Sequence, residues 1–237
     1  MNVVISQSML FPWVGMLEQI RLADVLVHYD DVQFSKGSFT NRVQIKTPTG
    51  SKWMTIPLKN LKLGQSINEV RIAACDEWRE KNLALLENNL KGTPFLQDAL
   101  QIASGVFKGN HENLGEIARE SMMVVAEYFD LLKGKTIINV EDLKVPGAGS
   151  DRVYEIVRNL GGDVYISGRG GFNYLNHQKF DESGIMVKYM EYKLLRYNQL
   201  HGDFTPFVSC LDLIANCGKL GKEVICSNAI YYKENII

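Results

Sequence analysis

Two short, unbroken apolar runs near the N-terminus, Val3-Val4-Ile5 and Val25-Leu26-Val27, constrain the fold of this chain more than any other feature. A run without polar alternation suits a strand buried on both faces. Between the two runs Pro12 and Gly15 punctuate the chain. Met16, Leu17, Ile20, Leu22 and Ala23 then recur at helical spacing. Strand, loop, helix and strand in that order predict a βαβ unit, the usual opening of a parallel sheet.

Beyond Tyr29 the character changes. Arg42–Thr47 and Lys52–Leu58 alternate around Thr47-Pro48-Thr49-Gly50, which predicts an antiparallel hairpin with Pro57 at an edge or a strand end. Helical periodicity covers Asp76–Leu100, interrupted at Gly92 and Pro94, and returns over Asn113–Leu132. These helices are expected to layer over the sheet. The C-terminal third returns to α/β: strands at Thr136–Val140, Val164–Ile166 and Ile185–Tyr192, a helix Arg152–Leu160 capped by Ser150-Asp151, and a helix Phe207–Cys217 stopped by Gly218. The expected fold is α/β, with an N-terminal βαβ unit, a mostly parallel sheet, an antiparallel hairpin and a helical subdomain. No linker-like stretch divides the chain, so one domain over 1–237 with a helical insertion at about 76–132 is expected.

Composition narrows the function classes. A formal net charge of −1 supplies no global basic field for a nucleic-acid backbone or an anionic membrane. No apolar run approaches the ~20 residues that span a bilayer. The N-terminus lacks the basic and apolar regions of a signal peptide. Cys75, Cys210, Cys217 and Cys226 form no CxxC pair and read as free thiols of a cytoplasmic protein.

Ligands of open α/β sheets bind beyond the C-terminal ends of parallel strands. Three polar clusters fall at such places: Ser6-Gln7-Ser8, His28–Lys36 and Ser167–Gly171. Asp30 and Asp31 are candidates for a general base or for holding Mg²⁺, which prefers oxygen ligands. His28 alternates with Asp30, so the two share a face and His28 joins the catalytic candidates. Gln33 and Asn41 are candidate orienting groups, while Lys36, Arg42 and Arg169 offer cations for a phosphate or carboxylate. Gly168-Arg169-Gly170-Gly171 presents backbone N–H groups close to an anion, and the glycine-rich run before the Arg152 helix is a second possible cradle. Gln7, Trp13, Phe34, Gly168 and Tyr174 complete the expected binding set, the aromatics as a stacking surface. The four histidines are scattered, with none at a recognised metal-ligand spacing.

Ile5-Ser6-Gln7-Ser8-Met9-Leu10-Phe11-Pro12-Trp13-Val14-Gly15, Ala23-Asp24, Tyr29-Asp30-Asp31-Val32-Gln33-Phe34-Ser35-Lys36 and Asn41-Arg42 resemble the signature of the WbqC-like family. The resemblance continues through Tyr165-Ile166-Ser167-Gly168, Tyr174-Leu175, Phe204-Thr205-Pro206 and Leu211-Asp212-Leu213 to Gly218. Ser8 stands where the pattern leads one to expect Pro, and Gly37 where it leads one to expect a larger, often basic residue. The resemblance implies a place among bacterial surface-polysaccharide and O-antigen genes. It also implies a nucleotide-linked sugar as substrate and acyl or aminoacyl transfer to an amino group of that sugar. No cofactor follows beyond such a donor, with Mg²⁺ open; a homo-oligomer is allowed. Nucleic acid enters only if the donor is an aminoacyl carrier. A second likeness, of strand, Phe-Pro-Trp-Val-Gly loop, helix and Asp-Asp-Val-Gln-Phe, is to pantothenate synthetase and implies an ATP-dependent ligase or nucleotidyltransferase. Trp13 and Met16 stand near where the His-x-Gly-His loop of that chemistry needs its histidines, a departure that speaks against adenylate chemistry by that route. The third class is a non-catalytic carrier of a sugar precursor.

Overall fold

The structure is a computed structural model that describes residues 1–234. The chain opens with strand β1 (Asn2–Ser6), helix α1 (Val14–Leu22) and strand β2 (Val25–His28), the expected βαβ unit. Strands β3 (Arg42–Thr47) and β4 (Gly50–Thr55) form the hairpin around Pro48-Thr49, and Pro57 ends the second arm. A shorter ribbon follows from β5 (Leu58–Lys59) and β6 (Arg71–Ile72). Three helices succeed it: α2 (Glu77–Leu90), α3 (Leu96–Lys108) and α4 (Leu114–Tyr128). The break at Gly92-Thr93-Pro94 therefore starts a full helix that runs eight residues past the expected end at Leu100, because Ala103, Val106 and Phe107 continue its buried stripe.

Strand β7 (Thr136–Asn139) passes directly into the short helix α5 (Val140–Leu143). Helix α6 (Gly149–Asn159) begins before the expected cap. Ser150 and Asp151 do not cap it, because Ser150 Oγ accepts the Asn176 N–H at 2.8 Å and Asp151 pairs with Lys179. Strand β8 (Val164–Ser167), helix α7 (His177–Glu182), strand β9 (Met186–Glu191), helix α8 (Cys210–Cys217) and strand β10 (Asn228–Tyr231) complete the described chain. Helix α8 starts three residues later than the periodicity suggests, where the Ser209 side chain caps it through the Leu211 N–H.

Six strands form one sheet in the order β10-β9-β8-β1-β2-β7, parallel except for β10. Numbered by their sequence in the chain, these strands read 3-2-1-4-5-6 from the β7 side, with a switch of direction between β1 and β8. Strand pleating divides the core. Val4, Leu26 and Ile166 face α1 and the helical layer, together with Leu17, Phe107 and Ile117. Val3, Ile5, Val25, Val27 and Tyr165 face α6 and α7, together with Val153 and Phe180. Helices on both faces make the sheet doubly wound. Each fully buried Leu, Ile or Val contributes about 1.5–3 kcal/mol, so both faces are needed to hold the strands.

Candidate functional site

At the carboxyl edge of the sheet, alternate residues of two strand extensions point opposite ways. Gln7 and Met9 beyond β1, and Tyr29, Asp31 and Gln33 beyond β2, line an open cleft of about 660 Å³. Gly147-Ala148-Gly149 and Arg152, at the start of α6, form its opposite wall with Tyr174. The intervening residues Ser8 and Asp30 point inward and are fully buried.

Inside the floor, Ser8 donates its backbone N–H to Asp30 Oδ1 at 2.8 Å and its hydroxyl to Oδ2 at 2.7 Å. Ser8 Oγ also lies 2.8 Å from His28 Nδ1. With the serine proton committed to Asp30, His28 donates from Nδ1, and among the described residues its Nε2 has no partner. Arg119 of α4 approaches Asp30 at 3.3 Å. Burial drives both titrations: it raises Asp30 to about 6, against the hydrogen bonds from Ser8 and the Arg119 charge. It lowers His28 to about 4, with Arg119 adding to the effect. A serine, a histidine and an aspartate are thus in contact, but the serine is central and sealed from the cleft. The group registers two strand ends; it does not present a nucleophile.

The loop between β1 and α1 is pinned as firmly. Phe11 adopts a left-handed φ of 37°, a strained conformation costing about 1–3 kcal/mol. Its N–H donates to Ser121 Oγ and its carbonyl accepts from Ser209 Oγ, each at 2.9 Å. Helices α4 and α8 therefore hold the segment that carries Gln7 into the cleft.

On the cleft surface Asp31 is bound by the Arg152 guanidinium through both oxygens, with Nη1–Oδ1 at 2.8 Å and Nη2–Oδ2 at 2.5 Å. Arg152 Nε donates to the Val145 carbonyl at 2.9 Å, and the guanidinium carbon lies 5.0 Å from the centre of the Tyr29 ring. Asp30 and Asp31 thus face opposite sides, each beside its own arginine, and do not converge on one ion. Among the described residues no group of three His, Cys, Asp or Glu could hold a metal.

Of the residues singled out from sequence, Gln7, Asp31, Gln33 and Tyr174 line this cleft, while His28 and Asp30 lie beneath its floor. Trp13 lies elsewhere: its ring covers Gly15 and packs on Tyr192 and Phe207 at 4.9 and 5.6 Å, over the start of α1. Phe34 is buried core. Asn41 is buried and donates to the Ile56 carbonyl at 3.1 Å. Arg42 bonds the Gly37 carbonyl and stacks over Trp53, and Lys36 is exposed on the same loop. Gly168 borders Gln19 and Tyr192, and Arg169 opens an exposed turn that leads to Tyr174. Ser8 stands out in the sequence as a member of the Ser6-Gln7-Ser8 cluster with no partner assigned, and nothing there marks Arg119 or Arg152 as site residues. Arg152 lies 121 residues from Asp31, and no local pattern joins them. The glycine-rich run 147–149, weighed as a possible cradle, does border the cleft.

The strand order, with helices on both faces and an open cleft outside the carboxyl ends, defines a doubly wound α/β protein. The chain belongs to the WbqC-like protein family, whose model matches residues 7–223. It is 31% identical over 220 residues to the uncharacterized protein Rv1507c of Mycobacterium tuberculosis, an alignment covering 92% of this chain and 94% of that one. No solved structure matches it. Among the described residues, no helix is long and apolar enough to cross a membrane.

Proposed function

We propose that this chain binds a nucleotide-linked amino sugar and serves surface-polysaccharide precursor synthesis by acyl or aminoacyl transfer to the sugar's amino group. One observation carries the reading: the open cleft at the carboxyl strand ends sets the amides of Gln7 and Gln33 and the mutually paired Asp31 and Arg152 beside an exposed tyrosine, Tyr174, the chemistry that suits a sugar ring. The family resemblance supports the pathway. The sugar occupies the cleft, and Arg169, exposed at the head of the turn before Tyr174 and without an ion pair among the described residues, is the cation this reading assigns to the phosphates. In the transfer, the amine nitrogen forms a bond to the donor's carbonyl carbon. The donor's ester or thioester bond breaks, and the amine proton goes to the leaving group. Titration calorimetry with UDP-N-acetylglucosamine, UDP-glucose and the corresponding UDP-4-amino sugar tests the binding. Saturable binding, weakened about tenfold by Tyr174→Ala, is expected; absence of binding for all three overturns it.

The strand order favours a second reading, ATP-dependent ligation or nucleotidyl transfer, since such sheets bind nucleotides at the switch point. ATP-dependent pyrophosphate release across a panel of small acids and amino acids would establish it. The Trp13 ring over the start of α1, where phosphates would sit, favours the first reading.

A further inference from the structure

The lining groups of the cleft share one property: none is an unneutralised charge. Gln7 and Gln33 bring amides, Tyr29 and Tyr174 hydroxyls, and Asp31 and Arg152 cancel one another in a two-bond fork. A phosphate placed on Arg152 would meet the Asp31 carboxylate beside it. A neutral ligand meets no such repulsion.

What the fork retains is a row of adjacent acceptors and one donor. Of the five guanidinium N–H bonds, three are spent on Val145 and Asp31; of the two that remain, one on each terminal nitrogen, one meets the Tyr29 hydroxyl and the other is left for a ligand. Each carboxylate oxygen keeps a second lone pair. Both side chains line the cleft, with the Asp31 side chain 28% exposed and that of Arg152 10% exposed, so ligand can reach the pair while it stays rigid. Vicinal hydroxyls of a pyranose match this array, one donating to a carboxylate oxygen and its neighbour accepting from the guanidinium. Tyr174, 53% exposed, stands as the facing ring.

We infer that the Asp31–Arg152 pair is a subsite that reads two adjacent hydroxyls of a sugar, and not a general base or a phosphate clamp. The inference deepens the proposed function and rests on it for the nucleotide portion alone. Its test uses methyl glycosides of glucose, galactose, mannose and N-acetylglucosamine, their monodeoxy analogues, and UDP, with affinities from saturation-transfer NMR titrations. At least one glycoside is expected to bind, and loss of either of two adjacent hydroxyls to weaken it about tenfold, about 1.4 kcal/mol. In the Asp31→Ala/Arg152→Ala double variant, which leaves neither charge alone, that penalty is expected to vanish. The remote Leu63→Ser variant keeps it. Binding indifferent to deoxygenation or to the double variant overturns the subsite, as does absence of any glycoside binding. Glycosides bound through this pair, with no gain from an attached UDP, would instead overturn the nucleotide-sugar reading and leave the subsite standing.

Discussion

His28 and Asp30, which touch the same hydroxyl, respond to burial with opposite signs. The lowered pKa of His28 means the unfolded chain binds a proton that the folded one refuses between about pH 6.5 and 4. Stability is lost through that window as pH falls, by about 3 kcal/mol at ~1.4 kcal/mol per unit. The raised pKa of Asp30 means the folded chain binds the extra proton between about 6 and 4, so stability rises there by a similar amount. The two contributions oppose each other. In urea titrations from pH 7 to 4, Asp30→Asn is expected to lose stability relative to the native chain, and His28→Asn to gain it. Parallel pH slopes in all three proteins would show that the pair does not titrate as described. Ser8 is the second test at this scale. Ser8→Ala deletes one donor to a buried carboxylate and is expected to cost about 1–3 kcal/mol; Ser8→Pro deletes both and is expected to cost more in the same urea titrations.

At the scale of elements, the start of α1 shows how a helix end that could meet a ligand is closed by packing. A Cβ on Gly15 would collide with the Trp13 ring, so the glycine exists to admit the indole. Gly15→Ala is expected to displace Trp13 from Tyr192 and Phe207. The displacement should red-shift its fluorescence and destabilise the fold by about 1–3 kcal/mol. Unchanged emission would mean the indole does not rest there. The βαβ unit and the hairpin were legible because their periodicity and turn residues are local signals. Helix α7 and strand β10 carried no such signal: six residues are too few to display a helical period, and Asn228-Ala229-Ile230-Tyr231 lacks the unbroken apolar run that marks β2 and β8. The supposed cap of α6 failed for a related reason, since Ser150 serves Asn176, a partner its neighbours do not reveal.

For the whole molecule, the helical layer and the sheet share one apolar cluster that joins Val4 and Leu26 to Leu86, Phe107 and Ile117. Arg119 adds a polar link from α4 to the floor of the cleft. We therefore propose that the expected insertion at 76–132 is no independent unit. Far-ultraviolet circular dichroism and tryptophan fluorescence should report a single coincident unfolding transition, and the isolated segment should not fold. Two separated transitions would divide the chain.

The sequence by itself determined the α/β class, the parallel opening unit and the edge of the sheet where polar residues gather, because apolar period and strand ends are properties of neighbouring residues. The family, too, was legible in the run from Ile5 to Arg42. Only the tertiary structure decided which of those residues face the cleft. Along an extended strand one residue's step turns a side chain from solvent to core, so Asp31 meets Arg152 in the open while Asp30 closes on Ser8 beneath it. Neither partner is visible from the sequence around the two aspartates, and the partners set what each carboxylate can do.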